Sequence, residues 1–123
     1  MKKYIKECDC REIQELWEPE VGDEFLLGDT IYLVVGGDED EGTVVSQDGF
    51  ETNKKDCIFL PSLSWLIELL GNEFHTLDKV EDESKFFAWK READGEKAFE
   101  GSTPELACIK ALKAILKEKE RGR

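Results

Sequence analysis

Metal-binding side chains are the first candidates for chemistry in this sequence, and they are sparse. Cys8 and Cys10 form a C-x-C pair. A structural zinc site needs a second pair of ligands at a matching spacing. Cys57, His75 and Cys108 each stand alone, and both of these cysteines lie in apolar runs typical of small core residues. We therefore predict that the chain has no metal site.

The acidic run Asp38–Glu41 is the second candidate, because carboxylates are the usual ligands of calcium. An EF-hand that began at Asp38 would need glycine at its sixth position and glutamate at its twelfth. Those positions hold Thr43 and Gly49, so the pattern fails. A solvated loop is the usual outcome for such a charge run. A calcium loop of another kind stays open as an alternative.

Residue patterns typical of catalysis are missing. His75 is the only histidine, and no nucleophile motif accompanies it. Gly36-Gly37 lacks the rest of a phosphate-binding loop, and the four acids that follow would repel a phosphate. Large aromatic residues among apolar neighbours are more often core than ligand platforms, and this applies to Trp17, Trp65 and Trp89. We predict no enzyme activity, no catalytic or cofactor-binding residues and no cofactor.

Charge is distributed unevenly along the chain. The stretch from Glu18 to Glu100 holds 22 acidic and 7 basic residues, and the two ends together hold 7 acidic and 10 basic ones. The total is a net charge of −12. A surface of this sign repels nucleic acid and anionic lipid and attracts basic partners. We expect an unknown protein partner and no direct contact to nucleic acid or membrane. A basic partner is one interpretation of the acidity, and acidity that only confers solubility is the other.

The length of 123 residues matches a single domain. The basic start Met1-Lys2-Lys3 is not followed by the apolar segment of a signal peptide. The sequence has no apolar run of the roughly 20 residues that span a bilayer. We expect a cytoplasmic protein whose cysteines are free thiols.

Periodicity predicts helix, then strands, in the first half. Ile13, Leu16 and Trp17 form an apolar helical stripe, with Asp9 as a candidate N-cap. A turn at residues 21–23 should follow. Short strands are then predicted at residues 24–27, 30–35, 42–47 and 50–52, with hairpin turns at 28–29 and 48–49 and a loop at 36–42.

The second half predicts helix, strands and a final helix. Ser62 caps a helix over residues 63–70 that stops at Gly71. Strands are expected at 74–80, 85–91 and 96–100, with turns at 81–84 and 94–95. Thr103 caps a last helix that starts at Pro104, buries Leu112 and Ile115, and frays from Glu118. Together these elements predict a single α+β domain, in which antiparallel sheets pack against about three helices and the C-terminal helix is central to the core.

Three short motifs resemble small uncharacterised proteins of bacteriophages and prophages of Gram-positive bacteria. The first is the W-x-P-x-x-G-D opening at 17–23. The second is Ile58-Phe59-Leu60-Pro61 before the helix at 63–70, where those proteins often have I-W-L-P. The third is the helix start at 102–112, which is similar to the last helix of phage α/β-sandwich proteins. The resemblance touches about a third of the chain and implies a phage-related origin and an α+β fold, but no activity.

Three functional hypotheses follow. The first is a phage- or prophage-related accessory protein that acts by protein–protein contact without catalysis. The second is an acidic inhibitor or decoy, either a nucleic-acid mimic or an immunity-type partner, that binds a basic target. The third is a metal-binding protein or enzyme with an unrecognised site.

Overall fold

The computed structural model describes residues 2–80, 85–92 and 95–121. It contains two antiparallel sheets, of five and three strands, together with four α-helices in the described residues. The predicted α+β class is therefore confirmed. The chain divides into two compact units, an N-terminal unit up to Pro61 and a C-terminal unit from Ser62, and each is described here by itself. The expectation of a single domain stays a prediction.

The N-terminal unit is a five-stranded sheet that two short helices accompany. Its strand order is β4-β3-β2-β1-β5, so the last strand returns to pair with the first. A 3₁₀ turn at Lys54–Asp56 precedes that last strand. The elements of this unit are α1 (Lys2–Cys8), α2 (Arg11–Glu15), β1 (Glu24–Leu27), β2 (Thr30–Asp38), β3 (Thr43–Ser46), β4 (Glu51–Asn53) and β5 (Ile58–Leu60).

The structure departs from the sequence prediction at four places in this unit, one of which is strand β5, since no strand was predicted at 58–60. Helix α1 was not predicted. Asp9 does not cap α2, because the N-cap position falls on Cys10, which makes no side-chain capping bond. Residues 36–38 were predicted as loop but belong to β2, since they pair with β3 beyond a bulge between Val34 and Gly36. Two glycines are poor strand formers, so the cross-strand pairing overrides their propensity.

Aromatic side chains form the core of the N-terminal unit. The rings of Trp17 and Phe59 are stacked, with centroids 5.0 Å apart and planes 3° from parallel. Phe25 contacts Trp17 at 6.3 Å and Tyr32 at 5.7 Å. Trp17, Phe25 and Phe59 are almost fully buried, so the prediction that Trp17 is a core residue is confirmed.

The C-terminal unit begins with α3 and continues into a three-stranded sheet and the long helix α4. Ser62 accepts a hydrogen bond from the Trp65 N–H and so caps α3, and Gly71 ends the helix with a positive φ, both as predicted. A 3₁₀ turn at Gly71–Glu73 leads into the sheet, whose order is β6-β7-β8. The elements of this unit are α3 (Leu63–Leu70), β6 (Phe74–Val80), β7 (Lys85–Glu92), β8 (Gly95–Gly101) and α4 (Pro104–Arg121).

Helix α4 packs against β7, β8 and α3. Thr103 Oγ1 accepts a hydrogen bond from the Leu106 N–H, which confirms the predicted cap. Leu112 and Ile115 are buried, as expected. The prediction that α4 frays from Glu118 is wrong, because the helix continues to Arg121. Glu118 Oε2 accepts a hydrogen bond of 3.0 Å from the buried ammonium of Lys90 on β7, which ties this end of the helix to the sheet.

Two predicted turns involve residues outside those that the structure describes. These are the turn at 81–84 and the Asp94 half of the turn at 94–95. Among the described helices, none combines the length and the apolar character needed to cross a membrane.

Candidate functional site

The W-x-P-x-x-G-D motif forms one wall of a groove in the N-terminal unit. The Trp17 indole N–H donates to Asp23 Oδ2 at 3.0 Å, and the same oxygen accepts from the Glu20 N–H at 2.9 Å. The Gly22 N–H donates to the Val34 carbonyl at 2.9 Å. The motif is therefore a turn that is hydrogen-bonded to β2. Its spacing places the tryptophan and the aspartate in direct contact.

The groove lies between this turn and the far end of β2, and its volume is about 510 Å³. Buried Trp17 and Val34 line it from below, and Pro19 and the exposed Val21 add apolar surface. The remaining lining is mostly backbone, since Gly36, Gly37 and Gly42 contribute to it together with Thr43. The groove is thus apolar at its base and nearly free of side chains along β2.

Carboxylates dominate the rim of the groove. Glu18, Asp38 and Glu39 line it and are all exposed to solvent. Lys54 is the one basic residue of the lining. Its ammonium donates to the Trp17 carbonyl and lies 5.8 Å from the centre of the Trp17 ring. Because that cation is bound to the base of the groove, the rim presents negative charge.

Asp38 shapes the acidic loop that follows β2. Its Oδ1 accepts hydrogen bonds from the backbone N–H groups of Asp40 at 2.9 Å and Glu41 at 3.4 Å. This arrangement is an Asx turn, in which the side chain replaces a backbone acceptor. Gly42, at φ 69°, completes the loop. Local hydrogen bonding therefore shapes this loop beside the groove, and Asp38 and Glu39 contribute to the lining.

A second hollow of about 560 Å³ lies beside α2 in the same unit. Its lining mixes both signs of charge, and Arg11 is paired with Glu15 at 2.7 Å. Lys55 and Asp56 bring one further charge of each sign. A mixed lining selects no class of ligand by charge, so the groove at Trp17 is the stronger candidate.

The metal-binding residue types considered in the sequence occur in both units. Cys8, Cys10 and Cys57 belong to the N-terminal unit, and His75 and Cys108 belong to the C-terminal unit. Across residues 2–80, 85–92 and 95–121, no group of three His, Cys, Asp or Glu side chains could hold a metal ion. The acidic loop at 38–41 is included in that statement.

The individual environments of these residues differ. His75 is partly exposed, with Nε2 3.5 Å from Glu96 Oε1. Cys8, Cys57 and Cys108 are buried thiols, and Cys10 is half-buried. Burial raises the pKa of the Cys108 thiol to about 11, and the nearby charge of Glu105 acts in the same direction. Burial also raises the pKa of Cys57. A thiol with a raised pKa is a weak nucleophile at neutral pH, because the thiolate is the reactive form.

Sequence reasoning missed the groove itself. The sequence predicted a turn at 21–23 and a loop at 36–42, but neither pattern indicated a groove between them. A tryptophan followed six residues later by an aspartate in a turn was the available signal, since a buried indole N–H needs an acceptor. The pairing of that turn with β2 depends on contacts that no local pattern encodes.

Comparison of the chain with protein-family models, curated proteins and solved structures gave no significant match.

Proposed function

We propose that this chain is a non-catalytic accessory protein that acts by contact with another protein, and that this partner is basic. The groove at Trp17 carries the proposal, because it combines an apolar base with a rim of carboxylates. The net charge of −12 acts in the same direction over longer distances. A phage or prophage origin is part of the proposal and rests on the three sequence motifs.

The two parts of the groove would contribute differently to binding. Exposed ion pairs at the rim are each worth only about 0.2–1 kcal/mol. Their main effect is on the rate of association and on the choice of partner, because opposite charges steer the encounter. Affinity would come mostly from the apolar base, where a partner side chain excludes water from Trp17, Pro19 and Val21. The partner segment should therefore carry both apolar and basic side chains.

The inhibitor or decoy hypothesis uses the same physical mechanism, since it also needs a basic target. It differs in its consequence, because binding would block the activity of that target. The proposal also includes a cytoplasmic location, where thiols stay reduced.

Charge reversal at the rim tests the proposal. In the variant Asp38→Lys/Glu39→Lys two rim carboxylates are replaced. The control Asp29→Lys/Glu51→Lys changes the net charge equally at two exposed positions outside the groove lining. Tagged wild-type and variant proteins would be used to capture partners from a Gram-positive lysate, with the captured proteins quantified by mass spectrometry.

We expect a basic protein to be captured by the wild type and the control and to be lost with the rim variant. Raised salt should weaken its capture, because exposed charges are screened over about 8–10 Å at physiological ionic strength. Equal capture by the rim variant and the control would overturn the assignment of the groove. Capture of nothing above background by the wild type would overturn the proposed function.

A further inference from the structure

Strand β2 has an unpaired edge that opens into the groove. The register of β1 with β2 covers only residues 30–33 on the β2 side. The turn at 22–23 extends this pairing by one residue, because the Val34 N–H donates to the Asp23 carbonyl at 2.9 Å and the Val34 carbonyl accepts from Gly22. No described strand pairs with residues 36–38 on the side away from β3. These residues line the groove.

Backbone groups on this edge are available for hydrogen bonding. In an antiparallel ladder, successive residues direct their N–H and C=O groups alternately to the two neighbours. Part of the backbone between Gly36 and Asp38 is therefore directed away from β3. Natural proteins usually protect such an edge with bulky or charged side chains along its length. Here the bulge between Val34 and Gly36 and the carboxylate of Asp38 flank the edge, but two of its three residues are glycines and add no side chain.

The groove next to this edge has room for the side chains of an added strand. A Cβ atom built on Gly36 would meet no heavy atom within 4 Å. Across the groove, Val21 is 75% exposed and offers an apolar contact. Neighbouring strands lie about 4.8 Å apart, and the groove volume of about 510 Å³ accommodates a short extended segment.

We infer that an extended, basic segment of a partner protein binds by adding a short strand to the edge of β2 at residues 36–38. Backbone hydrogen bonds would supply part of the affinity, and side-chain alternation would supply specificity. Since side chains of a strand point alternately to opposite faces, one set would contact Val21 and Pro19. The other set would carry the Lys or Arg residues that the rim carboxylates attract. Strand addition rests on the proposed function, because it specifies how the basic partner is held.

Three synthetic peptides test the mode of binding. The first is acetyl-Val-Lys-Val-Lys-Val-Lys-amide. In the second, alternate backbone amides are N-methylated, which removes one edge of hydrogen bonds and keeps the charge. In the third, glutamate replaces lysine. Binding would be followed by NMR of the ¹⁵N-labelled full chain, with the amide signals of residues 36–38 and the exchange rates of their protons as the readout.

We expect the first peptide to shift and protect the amides of residues 36–38. N-methylation should weaken binding about 2- to 10-fold, because it removes a backbone hydrogen bond worth about 0.5–1.5 kcal/mol. The glutamate peptide should not bind. Equal affinity of the N-methylated peptide would overturn strand addition while leaving a charge-driven contact, and thus the proposed function, intact.

A blocking variant gives an independent test. Gly36→Leu places a side chain in open space, so the fold should be retained and peptide binding should be lost. Thr30→Leu, an exposed position at the start of β2, is the control. Unchanged binding by a folded Gly36→Leu variant would overturn the inference. Concentration-dependent protection of residues 36–38 without peptide, together with a dimer in analytical ultracentrifugation, would assign the edge to a second copy and would also overturn it.

Discussion

Gln14 and Phe59 are joined by two hydrogen bonds across 45 residues of sequence. The side-chain amide of Gln14 donates from Nε2 to the Phe59 carbonyl at 3.1 Å, and its Oε1 accepts from the Phe59 N–H at 2.8 Å. Nε2 also donates to the Cys8 carbonyl at 2.9 Å. One glutamine side chain therefore donates to and accepts from the backbone of β5, as a neighbouring strand would.

Removal of this side chain should destabilise the N-terminal unit. Gln14→Ala removes both hydrogen bonds to the Phe59 backbone, and the loss of hydrogen bonds to a buried residue costs about 1–3 kcal/mol. The free energy of unfolding, measured by urea denaturation, should fall by about that amount. Glu15→Ala is the control, since its exposed pair with Arg11 is worth no more than about 0.5 kcal/mol. Equal effects of the two substitutions would contradict this role for Gln14.

The two neighbouring glycines of β2 should differ in their tolerance of alanine. A Cβ on Gly37 would lie 2.3 Å from the Thr43 carbonyl oxygen, at a φ of 152° that side chains rarely adopt. Gly37→Ala should therefore lower the free energy of unfolding by about 1–3 kcal/mol. Gly36→Ala meets open space and should change it by less than about 0.5 kcal/mol. Thermal melts of both variants would test this, and equal stability would show that β2 is placed differently.

The charge of buried Lys90 should depend on Glu118 for its stabilisation. The Lys90 side chain is only 3% exposed, and its ammonium lies 3.0 Å from Glu118 and 3.5 Å from Glu92. Glu118→Ala should lower the free energy of unfolding by about 1–3 kcal/mol, because it leaves a buried cation with a weaker partner. The same substitution in a Lys90→Met background should cost much less. A double-mutant cycle with no coupling between the two positions would refute the pair.

The same lysine predicts a loss of stability at high pH. Burial alone would lower the pKa of Lys90, but the hydrogen bond and charge of Glu118, followed by the charges of Glu92 and Glu73, outweigh it and raise the pKa. A raised native pKa stabilises the fold below the unfolded pKa of about 10.4, and this contribution is lost as the pH rises through the native value. The free energies of unfolding of wild type and Lys90→Met, plotted against pH, should therefore approach each other as the pH rises through the native pKa of Lys90. Parallel curves would argue against this contribution of Lys90.

Cys108 should add a pH dependence in a lower range. Its native pKa is raised from 9.0 to about 11, chiefly by burial, so the unfolded chain ionises this thiol first. The free energy of unfolding should fall as the pH rises from 9 to about 11. The contribution of this thiol to the fall is at most about 1.4 kcal/mol per pH unit. Cys108→Ala should remove that part of the slope. Urea denaturation at pH 8 to 11 measures the difference, and identical slopes for wild type and Cys108→Ala would disprove it.

Local patterns were enough to predict most helices and strands. The start and end of α3 and the start of α4 were predicted correctly, because caps and helix stops act over three or four residues. The residues that mark these ends are Ser62 and Gly71 for α3 and Thr103 and Pro104 for α4. The β-branched and aromatic run from Thr30 located the start of β2, and alternation located the strand at 74–80. The α+β class follows from these elements alone.

Only the tertiary structure decided how the elements meet. Gly36 and Gly37 become strand because β3 pairs with them, and Glu118 stays helical while it binds Lys90. The groove exists because the turn at 17–23 pairs with β2 at Val34, and because β1 is too short to cover the rest of that strand. Composition already determined that the chain is acidic. The placement of carboxylates around an apolar groove depends on contacts between residues far apart in sequence, and no local pattern carries that information.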